Sequence, residues 1–263
     1  MVMRNILRHA VLARVIACVF FLGAAARAGE IRVMASGGFT APYNEAVPEF
    51  ERATGHKVLT AYGASMGGAP DSIPMRIERG EPVDVVIMAD TALDDLIQQG
   101  KVVAGSRVDL VRSVIGMAVK KGSPKPDIST VDALVRTLLA AKSIAYSASA
   151  SGVYLSTELF PRLGIAEKIK DKSKRIVSER VGDVVARGDA EIGFQQVSEL
   201  LPIEGVDYVG PLPDGAQKLT VFSAGIAVGA KDPASARALI KFLASPAVYP
   251  AIKKSGLAPA TAK

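Results

Sequence analysis

The sequence predicts an α/β protein of two lobes, each a mostly parallel sheet flanked by helices. Three observations lead there. Apolar residues make up 49% of the 263 and charged residues 22%, which is enough to bury a sizeable core. Aromatics are only 5% and Trp is absent, so that core rests on Val, Ile, Leu and Ala, a composition that suits an α/β protein better than a β-sandwich. Short apolar runs alternate with segments of helical period, the order expected of parallel strands joined by helical crossovers. Two cores of about 100 to 130 residues fit this length better than one.

Residues 1 to 28 are read apart from the rest. Arg4, Arg8 and Arg14 precede an apolar run from Val15 to Ala26, and Ala26-Arg27-Ala28 is a small-x-small pattern. This is the layout of a secretory signal peptide cut after Ala28, leaving a periplasmic chain. The run is shorter than the roughly 20 residues that span a bilayer, so stable membrane insertion is not expected. Cys18 lies inside the run with Val15-Ile16-Ala17 before it, too few apolar residues for a lipoprotein signal.

Past the leader, Ile31 to Ala35 reads as a strand, Asn44 to Thr54 as a helix stopped by Gly55, and Lys57 to Ala61 as a strand. Ser72 to Arg79 is a helix and Asp84 to Met88 a buried strand. A strand over Arg112 to Val119 leads into the turn-rich Lys120 to Pro126. Val131, Leu134, Val135, Leu138 and Leu139 fall at helical spacing before the strand Ser143 to Tyr146. Helices follow near Gly152 to Leu163 and Val181 to Ala186, then a strand over Ala190 to Phe194. Leu219 to Val228 is a strand, and Asp232-Pro233 caps a helix striped by Ala236, Leu239, Ile240 and Leu243. The expected division is 29 to 111 plus 221 to 263 for lobe one and 112 to 220 for lobe two, with a ligand cleft between them.

Composition excludes several chemistries. Without residues 1 to 28, Lys+Arg falls from 32 to 28 against 26 Asp+Glu, and the net charge from +6 to about +2. The pI of 9.4 is therefore partly the leader's, and the dispersed pairs Lys120-Lys121 and Lys253-Lys254 are no nucleic-acid footprint. With no cysteine and one histidine, His56, the remaining chain cannot build a thiolate metal site, a disulfide or a Cys-His nucleophile. His56 itself, after Thr54-Gly55, is expected to be a solvent-facing cap residue.

Four segments close strands or open helices on the expected cleft side: Ala35 to Thr40, Gly63 to Gly68, Ser147 to Gly152, and Ser178-Glu179-Arg180. The first three are small and hydroxyl-rich and the fourth opens with a serine, so backbone N–H groups can approach a ligand, and an anion is the natural occupant. Neither a P-loop nor a dinucleotide fingerprint is present, and no cofactor is expected. The candidate binding residues are Gly37, Gly38, Phe39, Ser65, Met66, Ser149, Ser151, Gly152, Ser178, Arg180, Gln195 and Gln196. Arg180 suits a planar carboxylate, and the two glutamines offer amide donors.

The chain resembles the periplasmic molybdate-binding proteins, within the type II periplasmic binding proteins. The resemblance rests on Val33-Met34-Ala35-Ser36-Gly37-Gly38-Phe39-Thr40, on the segment Arg76-Ile77-Glu78-Arg79-Gly80-Glu81-Pro82-Val83-Asp84 running on through Val85-Val86-Ile87-Met88-Ala89-Asp90, and on Ala186-Arg187-Gly188-Asp189-Ala190-Glu191-Ile192-Gly193-Phe194. It implies the two-lobed fold and the periplasmic location. By that resemblance a molybdate site would carry a serine where Gly38 stands and a tyrosine where Gln196 stands, and its second loop would be a short serine run instead of Ser65 to Ser72. A lost hydroxyl costs roughly 1 to 3 kcal/mol against a charged acceptor, so a larger anion is expected here.

A branch of this superfamily that the chain resembles, the aconitate isomerases, implies a tricarboxylate ligand and a cofactor-independent 1,3-proton shift. The general base is open among Glu179, Asp71 and Tyr154, with Arg180 as a further catalytic candidate. The alternative is a solute-binding protein that passes molybdate or another small oxyanion or carboxylate to a transporter permease, which needs the same cleft and no base.

Overall fold

The computed structural model describes residues 29–260, so the expected signal peptide lies outside the described residues. The first unit alternates β1 (Glu30–Ala35), α1 (Gly37–Thr54), β2 (Lys57–Tyr62), α2 (Ile73–Glu78), β3 (Val85–Ala89) and α3 (Asp90–Gln98). β2, β1 and β3 are parallel neighbours. Ile31, Val33, Val85 and Ile87 are buried against α1, which presents Phe39, Tyr43, Ala46, Val47 and Phe50 at helical spacing along one face.

α1 begins seven residues before Asn44, the start expected from its sequence. Pro42 has no N–H to donate to the Gly38 carbonyl one turn back, which normally breaks a helix interior. That carbonyl accepts instead from Ser198 Oγ at 2.8 Å, 160 residues away in sequence. Tertiary contact repairs the defect that the local sequence announces.

The run read as a single strand over Arg112 to Val119 spans the end of β4 (Val108–Ser113) and most of β5 (Ile115–Lys120), and these lie in different sheets. The chain changes sheets at Val114, whose carbonyl accepts from Val197 N–H. A continuous apolar run carries no mark of such a point. Next come α4 (Val131–Ala140), β6 (Ile144–Ser147) and α5 (Ala150–Tyr154), the last continuing through a π-helical stretch at Leu155–Leu159 into α6 (Phe160–Arg162). α7 (Ala166–Ile169), β7 (Ser173–Ile176), α8 (Val181–Arg187), β8 (Ile192–Gln196), α9 (Val197–Leu200) and β9 (Val206–Pro211) complete this part. β10 (Thr220–Ile226) returns to the first sheet, followed by α10 (Pro233–Leu243), α11 (Tyr249–Lys254) and β11 (Ala258–Pro259).

The sheets run β11-β4-β10-β3-β1-β2 and β7-β6-β8-β5-β9. They are mixed rather than mostly parallel. Every antiparallel pair involves β4, β5 or β10, the strands that carry the chain between lobes. Such strands lack the helical crossover that would return them in parallel. Gln217 braces the crossing: its Oε1 accepts from Ile115 N–H at 2.8 Å and its Nε2 donates to the Ile115 carbonyl at 3.0 Å.

His56 is buried, not a solvent-facing cap. Its ring stacks on Phe50 at 6.0 Å, Nδ1 accepts from Gly29 N–H at 3.0 Å, and Nε2 lies 3.2 Å from Ser235 Oγ. The helix stop at Gly55 turns the ring inward onto the core, which places it in no cleft.

Candidate anion site

The parallel strands of both lobes end at one cleft, where ligands of open α/β sheets bind. β1 delivers Ser36 to Thr40, β2 delivers Gly63 to Asp71, β6 delivers Ser147 to Ser151, and β7 delivers Val177 to Arg180. All four segments line one cavity of about 770 Å³. Three bonds tie its walls across the lobes. Ser65 N–H donates to Ser149 Oγ at 3.2 Å, Ser178 Oγ donates to Asp71 Oδ1 at 2.8 Å, and Ser198 Oγ holds the Gly38 carbonyl.

The floor faces the N-terminus of α1, where unpaired N–H groups and the helix dipole favour an anion. Ser36 caps this helix without a side-chain bond, and its buried Oγ has no partner. The buried Gln196 Oε1 is likewise unpartnered, while Gln196 Nε2 donates to Thr220 Oγ1 at 3.0 Å. Buried polar atoms without a partner call for one, and both of these belong to residues that line the cavity.

Gly37, Gly38, Met66, Ser149, Ser151, Ser178, Arg180, Gln195 and Gln196 line the cavity. Phe39, Ser65 and Gly152 do not. Phe39 turns into the core beside Tyr43. Ser65 Oγ accepts from Ala89 N–H at 2.9 Å, fixing the end of β3. Gly152 packs against the Ser147 backbone. Gly38 owes its missing side chain to packing: a Cβ there would stand 2.0 Å from the Phe222 ring, which forms the apolar wall.

The ionisable candidates divide. Tyr154 stands outside the cavity, its hydroxyl donating to the Ala216 carbonyl and its ring beneath Lys218 Nζ. Glu179 lines the rim and pairs with Arg187 at 3.0 Å. Arg180 is held by both carboxylate oxygens of Asp183, at 2.8 and 3.1 Å. Asp71 is engaged by Ser178, a non-glycine residue at φ 61 that this bond helps to hold.

Two residues escaped the sequence reading. Arg175, an exposed residue of β7, reaches the cavity with one long contact to the Ala148 carbonyl, 3.4 Å, and takes part in no ion pair among the described residues. Glu199 on α9 lies against Gly37, and Gln195 Nε2 donates to its Oε1 at 2.8 Å. Burial pushes this carboxyl up to about 7, against weaker lowering by the Gln195 amide, the Gln196 backbone and the Arg180 charge. The available signal was its spacing, four residues after Gln195 and three after Gln196. Among the described residues no group of three or more His, Cys, Asp or Glu side chains is placed to hold a metal ion, and no helix is long and apolar enough to cross a membrane.

The chain is 49% identical over 233 residues, 89% of each chain, to an aconitate isomerase from a Pseudomonas species. It is 30% identical over 243 residues to a molybdate-binding protein of Azotobacter vinelandii, covering 89% of this chain and 92% of that one. The solved structure of the A. vinelandii periplasmic molybdate-binding protein superposes with a TM-score of 0.69 at 22% identity, covering 86% of this chain and 98% of that one. Residues 31–258, from the second residue of β1 to the first of β11, match the family described as bacterial extracellular solute-binding protein, and this chain belongs to that family.

Proposed function

We propose that this protein is a periplasmic, cofactor-independent aconitate isomerase that interconverts cis- and trans-aconitate by a 1,3-proton shift. The observation that carries the reading is the 49% identity to an aconitate isomerase across nearly all of both chains, against 30% to the molybdate-binding relative. The cleft supports it. A tricarboxylate needs separated donor sets, and the α1 N-terminus with Ser36, the loops of both lobes, and Arg175 supply them. The proton to be moved lies between a carboxyl group and a double bond, both of which acidify it, so donors aimed at the developing charge lower the barrier.

Arg175 is the cation free to bind a substrate carboxylate, since Arg180 is already neutralised by Asp183. A hydrogen bond to a charged group is worth about 1.5 to 3 kcal/mol. Arg175→Ala is therefore expected to raise KM for aconitate by roughly 10- to 100-fold, and Arg180→Ala by less; equal effects, or the reverse order, would remove the distinction.

Purified protein without added metal or nucleotide should convert cis-aconitate to the trans isomer, and in heavy water the product should gain deuterium. Aconitate should also raise the thermal midpoint more than molybdate at matched concentration, since a ligand at 100 times its Kd adds about 2.7 kcal/mol. Tight binding without isomerisation over hours would instead identify a transport receptor, with a permease as partner. For the location, N-terminal sequencing of the secreted protein should begin at or near Gly29; soluble material that keeps residues 1 to 28 would overturn the cleavage.

A further inference from the structure

We propose that Glu199 is the general base of this reaction, held in position by Gln195 and by the missing side chain of Gly37. The inference rests on the isomerase reading above. Three carboxylates line the cavity: Glu179 is paired with Arg187, Asp71 accepts from Ser178 in a bond that ties the two lobes, and Glu199 alone stands against Gly37 at the N-terminus of α1. Glu199 takes part in no ion pair among the described residues; the Gln195 side-chain amide donates to it, with a further backbone contact from Gln196. Its direction is fixed by chemistry. A backbone N–H can only donate, so Val181 N–H, 2.9 Å away, requires the Gln195 oxygen to face it, and the Gln195 NH₂ must then face Glu199 Oε1.

The helix that carries Glu199 is pinned as well. Ser198, the preceding residue, donates to the Gly38 carbonyl, which fastens α9 to the first turn of α1. Glu199 Oε1 occupies the space next to Gly37 so fully that a Cβ on residue 37 would lie 2.0 Å from it. The carboxyl thus stands beside the helix N-terminus that attracts the substrate's charge, close enough to meet a bound carbon acid.

The step balances without a co-reactant. Glu199 takes a proton from the methylene carbon that lies between a carboxyl group and the double bond. The electrons of that C–H bond delocalise over the three-carbon unit. A proton then forms a new C–H bond at the far carbon, delivered by the Glu199 acid or by solvent exchanging with it, and the double bond moves one position. Nothing is oxidised or reduced, and Glu199 ends as the carboxylate.

A base works best with a pKa near the operating pH, and burial brings this carboxyl to about 7. The charged groups facing it are Arg180, itself paired with Asp183, and, across the cavity, Arg175, Asp71 and Glu179.

Glu199→Gln keeps the shape and an oxygen to accept from Gln195. It is expected to bind aconitate with a KM within about threefold of wild type while kcat falls by about 10²- to 10⁴-fold, and deuterium uptake from heavy water should fall in step. The wild-type rate should rise with pH through an apparent pKa near neutrality, a limb absent from the residual rate of the variant. Gly37→Ala, which pushes the carboxyl aside without removing it, should lower kcat by about tenfold or more and guards against misfolding of the first variant. More than a tenth of the wild-type kcat in Glu199→Gln, or an unchanged kcat in Gly37→Ala, would overturn the assignment while leaving the isomerase reading intact. Absence of isomerisation by the wild-type protein would overturn that reading itself.

Discussion

Replacing Gly152 by alanine should destabilise the protein by about 3 kcal/mol, at or beyond the upper end of ordinary overpacking costs. A Cβ at this position would stand 1.7 Å from the Ser147 carbonyl oxygen and 2.7 Å from its carbon. Both are backbone atoms, so no side-chain rotation relieves the overlap. Ser147 cannot retreat, because it ends β6 in register with Ile176 of β7, and the Ala148 N–H next to it donates to the Ile176 carbonyl. α5 must move instead, and it carries the cleft wall with it. The displacement would break the Ser149 N–H bond to Ser147 Oγ, the Ser147–Ser151 hydroxyl contact and the link from Ser65 N–H to Ser149 Oγ across the lobes. Urea unfolding should show the loss in the midpoint with an unchanged slope, and a thermal midpoint lower by roughly 6 to 12 °C for a chain of this size. Gly68→Ala is the matched control: nothing lies within 4 Å of its added methyl, so its stability should stay within about 0.5 kcal/mol of wild type. A Gly152→Ala protein within about 1 kcal/mol of wild type would mean that the turn after β6 is soft, and the cleft wall with it.

Gly152 also illustrates what the sequence could and could not reveal. A glycine at the end of a serine-rich loop reads equally as a place for ligand or a place for backbone, and only the Ser147 carbonyl decides. β1 and β3 were legible because both of their faces are buried. Ile31, Val33, Val85 and Ile87 pack on one side and Met34, Val86 and Met88 on the other, which leaves an unbroken apolar run in β3 and one interrupted only by Arg32 in β1. β2 is an edge strand with no buried residue, legible instead from the strand-forming Val58, Leu59 and Thr60 after the helix stop at Gly55. β7, with mostly exposed residues, and β9, half-buried along most of its length, lack that signal and were missed. The convergence of the four loops was legible for a related reason: parallel strands point their carboxyl ends the same way, so loops that follow them share a site. Side-chain direction was not. Tyr154 and Ser151 are three positions apart in one short helix, yet Ser151 reaches the cavity and Tyr154 the far side, toward Ala216. Glu199 escaped because its helix has four residues, too few to show a period, and because its environment is assembled from α1, β8 and α8.

The same burial that suits Glu199 to catalysis should make the free protein lose stability as pH rises from about 4.5 to about 7. In the unfolded chain the carboxyl titrates near 4.5; in the fold, desolvation brings it to about 7. Between those values the folded state holds a proton that the unfolded state has released, so unfolding releases a proton and a rising pH favours it. The accumulated loss approaches about 3 kcal/mol above pH 7, since every tenfold difference in proton affinity between the two states is worth about 1.36 kcal/mol. Other carboxylates bear the opposite sign. Arginine partners hold Glu81 low, and Asp109, despite the burial that raises it, is held low by Arg107 and Ser223, so their contributions fade only as acid protonates them. These act equally in wild type and in Glu199→Gln, and the difference between the two proteins isolates the one group. Urea midpoints compared at pH 4, 6 and 8 should therefore coincide within error at the lowest pH and diverge upward, with Glu199→Gln the more stable by about 2 to 3 kcal/mol at pH 8. Curves that stay parallel across the range would show that the carboxyl is solvated in the open cleft and titrates normally. A divergence of the expected sign would mean that the fold tolerates a destabilising charge where a carbon acid has to be deprotonated, the kind of local cost that active sites impose on stability.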